Sequence, residues 1–177
     1  MTPRPASEPL VDAALGVLAG RPAVVADVGT GSGALALAIA AAAPSAQVWA
    51  TDRSPAAVVL ARENVRRHGL DGRVTVREGD LLEPVPGSVD LVVANLPYLP
   101  AAERGLDADV AREPTDAVFG TGDGLDPYRR LLDACRLRLA PDGAVVIQFR
   151  RRVLGAGRRE LDLLIGSGGV PDGLLGG

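Results

Sequence analysis

A strand, a glycine-rich segment and a helix follow one another directly near the start of this chain. Residues 23–28 are a short Val-rich run without polar alternation, which is typical of a strand buried on both faces. Glycines stand at alternate positions of 29–33, and the alanine-rich run 34–43 is a strong helix former that Pro44 ends. A strand buried on both faces needs cover on both sides, so this segment predicts the first unit of a parallel α/β sheet.

The rest of the chain repeats the alternation. The further predicted strands are 47–51, 73–77, 89–94 and 144–149, and the further predicted helices are 11–18, 54–68, 126–139 and 153–165. This order predicts an α/β fold with a mainly parallel sheet and helices on both faces. Since only a helix is predicted after Phe149, we expect the last strands of the sheet to be missing.

The predicted organisation is a single domain with short extensions. Residues 1–22 are an N-terminal segment with a helix, 23–165 the α/β domain, and 166–177 a flexible glycine-rich tail. A chain of 177 residues is long enough to bury one sizeable core. The stretch from 96 to about 124 is rich in proline, glycine and charge and predicts a long functional loop.

Charge and cysteine content limit the environment and the partners. The formal net charge of −3 gives no general attraction for nucleic acid or anionic lipid. The single cysteine, Cys135, excludes a disulfide within the chain and favours a reducing cytoplasm. The start of the chain lacks a signal-peptide pattern, and the longest apolar run, 34–43, is too short to span a membrane. We therefore expect a cytoplasmic protein that does not associate with membranes.

The glycine segment and the acid after the second strand predict a nucleoside site. Glycine lets a ligand approach the main chain, and the helix N-terminus adds free N–H groups and a positive dipole end. Asp52 lies 25 residues after Asp27, where a carboxylate can accept hydrogen bonds from both ribose hydroxyls. The spacing is G-x-G-x-G and differs from the dinucleotide fingerprint, which favours S-adenosylmethionine, a cofactor without a pyrophosphate.

Further positions of this site follow from the strand ends. Asp27 is predicted near the positively charged methionine end of the cofactor, Asp80 near the adenine amino group, and Leu81 against the base. The residues predicted to contact the cofactor are Asp27, Gly29, Thr30, Gly31, Ser32, Gly33, Asp52, Arg53, Asp80, Leu81 and Asn95.

The tetrapeptide Asn95, Leu96, Pro97 and Tyr98 at the end of the fourth strand predicts the chemistry. A planar amide or amine nitrogen has a delocalised lone pair and must be held before it can attack a methyl group. The Asn95 side-chain oxygen and the Leu96 carbonyl can each accept one N–H from the target. Pro97 restrains the loop, and Tyr98 offers a flat face for a planar group. Transfer of this kind needs no metal, and no metal site is predicted.

These motifs together resemble the HemK/PrmC family of protein-(glutamine-N5) methyltransferases, which act on peptide chain release factors. The resemblance covers about residues 3–148 and rests on five segments in the family's order: 3–5, 29–33, 95–98, 112–114 and 122–125. It implies a Rossmann-like class I S-adenosylmethionine-dependent methyltransferase in which Asn95 to Tyr98 hold the glutamine side chain. It also implies that Glu113 shapes the substrate loop. The family usually has proline where this chain has Leu96, and it carries an N-terminal helical domain that this sequence lacks.

Two other functions remain open from the sequence. The same tetrapeptide suits exocyclic adenine amines, so an N6-adenine RNA or DNA methyltransferase is the alternative enzyme, with nucleic acid disfavoured by the net charge. A cofactor-binding remnant without catalysis is the alternative from another class. If the chain methylates a glutamine side chain, the expected partner is a release factor or a ribosomal protein. The oligomeric state is not predicted.

A few residues are predicted to have structural roles only. His68 is expected to be a solvated helix cap, because Gly69 follows it and no second ligand lies near. Cys135 and Trp49 are expected in the core. The arginines of 150–152 and 158–159 are expected on a solvated face, with contact to RNA or an acidic protein as the less favoured role.

Overall fold

The structure, a computed structural model, describes residues 8–96, 99–100, 119–120, 126–152 and 159–167, and the side chains of 8–96 and 126–148. Its elements in chain order are α1 (Glu8–Leu18), β1 (Ala23–Val28), α2 (Ala34–Ala42), β2 (Ala46–Asp52), α3 (Pro55–Arg67), β3 (Val74–Glu78), β4 (Val89–Ala94), β5 (Leu99–Pro100), β6 (Phe119–Gly120), α4 (Asp126–Arg138), β7 (Leu139–Arg152) and β8 (Arg159–Ser167). No helix among these ranges is both long enough and apolar enough to cross a membrane.

One six-stranded sheet forms the centre of the fold. Its strand order is β3-β2-β1-β4-β7-β8, and β5 and β6 pair separately. The first five strands of that order run parallel, and β8 pairs antiparallel with β7. Strands β2 and β3 lie on one side of β1, and the chain then crosses over so that β4 pairs with the other side of β1. The carboxyl ends of β1 and β4 therefore flank the crevice in which open α/β sheets bind ligands.

Helices cover both faces of the sheet, as the sequence predicts. One apolar cluster joins α1, α2 and α3 to the sheet, and a second joins α4 and the turn after β3 to the opposite face. Strand β4 contributes to both, because Leu91 and Val93 belong to the first cluster and Val92 and Ala94 to the second. Cys135 on α4 is fully buried in the second cluster, which confirms its predicted core position.

The ends of α3 have the predicted caps. The Ser54 hydroxyl accepts a hydrogen bond from the Ala57 N–H at 3.4 Å, and Pro55 occupies the first helical position. The helix ends at Arg67, and its C-cap residue, His68, is exposed and is followed by Gly69 with φ of +65°. Both observations confirm that His68 is a solvated helix cap.

The predicted helix at 153–165 is wrong where the structure describes the chain. Residues Arg159–Ser167 form β8, which pairs with β7 from Ala144 to Arg152. Strand β7 is also longer than the predicted 144–149, since it runs over Leu139–Arg152. The edge of β7 offers a row of N–H and C=O groups, and β8 pairs with them, whereas a helix bonds its backbone groups internally and would leave that edge unpaired. The expectation that the sheet lacks its last strands is therefore wrong for one of them, the edge strand β8.

Trp49 is only half-buried rather than a core residue. It packs at the margin of the second cluster, and the Arg77 guanidinium lies 5.9 Å from the centre of its ring. The side chains of the predicted basic patch at 150–152 and 158–159 lie outside the described residues.

Candidate active site

The sheet places Asn95 beside the glycine segment. Val28 at the end of β1 is the Cα partner of Ala94 at the end of β4, so Gly29 and Asn95 leave neighbouring strands at the same level. Both residues are exposed, whereas Leu96 is buried. The cofactor and substrate positions predicted separately from the sequence therefore share one edge of the crevice.

Gly29 is required at this point for two independent reasons. Its φ is +70°, in the left-handed region that side-chain-bearing residues rarely adopt. A Cβ atom built on Gly29 would lie 2.6 Å from Cδ2 of Leu96, so the leucine packs directly over the glycine. Leu96 thus links the predicted substrate tetrapeptide to the glycine loop through its side chain.

The glycine loop is held by the main chain of β2. The N–H groups of Gly29 and Thr30 both donate to the Thr51 carbonyl at 2.9 Å. At the other end of the loop, a Cβ on Gly33 would lie 3.2 Å from the Cβ of Ala61 on α3. A Cβ on Gly31, in contrast, would meet no heavy atom of the described residues within 4 Å, so this part of the structure leaves the middle of the loop open. This is the shape expected where a ligand approaches the backbone.

Asp52 is oriented through both carboxylate oxygens. Oδ2 accepts a hydrogen bond from the Gly31 N–H and Oδ1 accepts one from the Ser54 N–H, each at 2.9 Å. Each oxygen retains a further lone pair, and the side chain is partly exposed toward the loop. The carboxylate is therefore aimed before any ligand arrives, as a pair of ribose hydroxyls would require.

Asp27 lies beneath the loop rather than on its surface. Its side chain is 1% exposed, and its Oδ2 accepts hydrogen bonds from the Thr30 hydroxyl at 2.6 Å and the Ala36 N–H at 3.1 Å. Burial raises the pKa of Asp27 from 3.8 to about 6, although these two hydrogen bonds oppose the rise and the charge of Asp52 adds to it. Asp27 holds the loop against the start of α2, and its predicted contact with the cofactor stays a prediction.

This raised pKa predicts a pH dependence of stability. Between pH 3.8 and about 6, the folded state keeps the Asp27 proton that the unfolded chain has lost. The free energy of unfolding therefore falls as pH rises from about 4 to about 6. The expected loss is about 3 kcal/mol, at about 1.4 kcal/mol per pH unit. Urea denaturation of the wild type and of Asp27→Asn at several pH values measures it. The difference between the two curves should grow with pH over that window, and parallel curves would contradict the prediction.

The positions predicted to contact adenine lie in the turn after β3. Leu81 has φ of +49°, and its carbonyl accepts a hydrogen bond from the Thr51 hydroxyl at 2.7 Å. The Gly79 N–H donates to the Asp52 carbonyl at 3.0 Å, which ties the same turn to β2. The Asp80 carboxylate is paired with the guanidinium of Arg130 on α4. An adenine amino group that donates a hydrogen bond to Asp80 would therefore share that carboxylate with Arg130.

The remaining predicted positions divide into two groups. The first group is described by the structure. Ser32 belongs to the loop, and its carbonyl accepts a hydrogen bond from the Asn64 side chain at 2.8 Å. Arg53, directly after Asp52, is exposed. Pro97, Tyr98 and Glu113 lie outside the described residues, so their assigned roles stay predictions.

Tyr128 on α4 is a site residue that the sequence reasoning missed. The side chain is 1% exposed, and its hydroxyl lies 2.8 Å from the carbonyl oxygens of Leu96 and Gln148. The sequence does contain a signal that could identify it, since Tyr128 stands three residues after the 122–125 motif. Arg130 and Asn64 were missed as well, since nothing local in the sequence relates them to Asp80 or to the glycine loop.

A mainly parallel sheet of this order, with a glycine loop after β1, an oriented acid at the end of β2 and an asparagine after β4, is the class I S-adenosylmethionine-dependent methyltransferase fold. Two solved structures agree. The chain is 25% identical to the ribosomal protein L11 methylase from Lactobacillus delbrueckii subsp. bulgaricus, with a TM-score of 0.57 over 89% of this chain and 76% of that one. It is 27% identical to TrmN from Thermus thermophilus, with a TM-score of 0.57 over 78% of this chain and 36% of that one.

The chain belongs to the methyltransferase small domain family, which it matches over residues 9–113. It is 47% identical to the release factor glutamine methyltransferase of Moorella thermoacetica over 84% of this chain and 54% of that protein. It is 44% identical to the one of Deinococcus radiodurans over 86% of this chain and 55% of that protein. The predicted resemblance to the HemK/PrmC family is thereby confirmed. The chain spans about half the length of the curated relatives it matches.

Proposed function

We propose that this chain transfers a methyl group from S-adenosylmethionine to the side-chain amide nitrogen of a glutamine in a peptide chain release factor. The observation that carries the proposal is the position of Asn95, exposed at the end of β4 and level with Gly29 at the end of the neighbouring strand. The names of the relatives at 47% and 44% identity support the choice of substrate.

The residues of the loop fit the cofactor. The open space over Gly31 leaves room for a ligand against the main chain, and the two oriented oxygens of Asp52 suit vicinal ribose hydroxyls. The exposed backbone of Gly29 borders the position of Asn95. When bound, S-adenosylmethionine supplies a methyl group on a positively charged sulfur, which departs as a neutral thioether.

The chain's own residues then act on the amide nitrogen. An amide nitrogen is a poor nucleophile because its lone pair is delocalised into the carbonyl. The Asn95 side-chain oxygen and the Leu96 carbonyl would each accept one of its two N–H bonds and so aim the lone pair at the methyl group. As the new N–C bond forms and the S–C bond of the cofactor would break, the nitrogen loses one of its two protons, which is released to solvent water.

An assay with three substrates in parallel tests the proposal. The chain is incubated with cofactor carrying a labelled methyl group and with a purified release factor, ribosomal protein L11 or RNA. We expect label in the release factor, on one glutamine side chain identified by mass spectrometry of the digested protein. Label in L11 or RNA instead would replace the proposed substrate, and no label in any arm would contradict methyl transfer by this chain.

A further inference from the structure

We infer that Tyr128 is a positioning residue, which holds the main-chain carbonyl of Leu96 in the direction needed to accept the substrate N–H. The inference rests on the proposed function and adds a residue that acts on the reacting amide through the backbone. It starts from one buried hydroxyl that lies 2.8 Å from two carbonyl oxygens on neighbouring strands.

The two carbonyls belong to neighbouring parts of the sheet. Leu96 is the second residue after β4, and Gln148 lies within β7, next to Ile147, which is the Cα partner of Ala94. Tyr128 reaches both from α4, which packs against β7. A hydroxyl has one proton, so the two carbonyls share a single donor, and this shared bond connects the tetrapeptide to the neighbouring strand.

The Leu96 carbonyl needs such a restraint more than a regular strand carbonyl does. Leu96 lies past the last residue of β4 that pairs with β1 and β7, so no ladder hydrogen bond of those strands fixes its peptide plane. Its side chain is fixed over Gly29, but a side-chain contact does not set the direction of the carbonyl. A carbonyl oxygen has two lone pairs. With one directed at the Tyr128 hydroxyl, the other is held for the substrate.

Tyr128→Phe tests the inference, because it removes the hydroxyl and keeps the ring in the core. We expect kcat for release factor methylation to fall on the order of 10- to 100-fold, as for a displaced catalytic group. The dissociation constant for S-adenosylhomocysteine should change less than about threefold, because the hydrogen bonds that hold the glycine loop and Asp52 come from the Thr51 carbonyl and the Gly31 and Ser54 N–H groups. A role in folding alone would lower the stability without this loss of kcat.

Cys135→Ala is the matched control. Cys135 lies two turns further along α4 and is as fully buried as Tyr128, so its truncation perturbs the same helix. We expect this variant to be less stable than the wild type and to keep the wild-type kcat. Equal kcat values for wild type and Tyr128→Phe would overturn the inference, as would an equal loss of kcat in Cys135→Ala. The absence of methylation by the wild type would instead contradict the proposed function.

A measurement on the wild type covers the case in which Tyr128→Phe does not fold. The sequence contains only two Leu–Pro bonds, 96–97 and 99–100, so carbonyl-labelled leucine with nitrogen-labelled proline yields two carbonyl–nitrogen signals by NMR. The Leu96 signal should shift in D2O, when the hydroxyl proton is exchanged, and should shift again when a synthetic peptide with one central glutamine and S-adenosylhomocysteine are added. The absence of either shift would overturn the inference.

Discussion

Replacing Asn95 with alanine should abolish measurable methyl transfer and leave the affinity for S-adenosylmethionine nearly unchanged. The side-chain oxygen of Asn95 is one of the two acceptors proposed to hold the amide nitrogen, and loss of one such preorganised group lowers kcat by about 100- to 1,000-fold. Asn95 is exposed, so its truncation leaves no buried polar atom without a partner and the fold should persist. Single-turnover methylation and calorimetry with S-adenosylhomocysteine measure the two quantities separately.

Asn64, the only other asparagine in the chain, provides the control for that result. Its side chain donates to the Ser32 carbonyl and so supports the cofactor loop from α3. Asn64→Ala should weaken cofactor binding and leave the rate at saturating cofactor close to that of the wild type. Unchanged turnover in Asn95→Ala would rule out the acceptor role, even with the expected result in Asn64→Ala.

Replacing Asp52 with alanine should weaken cofactor binding by at least about 100-fold. The wild type is expected to bind S-adenosylmethionine and S-adenosylhomocysteine in the micromolar range. A hydrogen bond to a charged group contributes about 1.5 to 3 kcal/mol, so losing two to the ribose corresponds to at least about 3 kcal/mol. The variant also loses the acceptor of the Gly31 and Ser54 N–H groups, which adds to the effect. Calorimetry with either ligand measures the change.

Asp90→Ala is the control for Asp52→Ala, because it separates an effect on cofactor affinity from an effect on thermal stability. The Asp90 carboxylate also accepts a backbone N–H, that of Val24 at 2.7 Å, but it does so near the start of β1 and β4, at the opposite edge of the sheet from the loop. Both variants should lower the thermal stability, and only Asp52→Ala should lower the affinity. Similar affinities in the two variants would show that Asp52 does not contact the cofactor.

The local parts of the site were predictable from the sequence. The bounds of β1 and β4 agree with the predicted ranges, because a short apolar run between glycine, proline or polar residues has few other conformations open to it. The positions of Gly29, Asp52 and Asn95 follow from these bounds, since each residue comes directly after or at the end of a parallel strand. Because parallel strands end at the same edge of a sheet, the strand bounds alone predict that these residues lie close together.

Long-range pairing could not be predicted in the same way. The apolar residues Leu161, Leu164 and Ile165 have a spacing that suits a helix, and only the open edge of β7 turns this segment into a strand. The pairing of Arg130 with Asp80 and the approach of Tyr128 to Leu96 depend on where α4 packs. No periodicity within α4 contains that information.

The carbonyl and the hydroxyl of Thr51 join two separate turns before any ligand is present. Its carbonyl receives the glycine loop, and its hydroxyl holds Leu81. These turns would lose little additional backbone entropy when a nucleoside binds, so the affinity for the nucleoside would depend on groups already in place. Substitutions in these turns would consequently show coupled rather than additive effects on binding, and Thr51, which need not touch the ligand, would be the residue through which they are coupled.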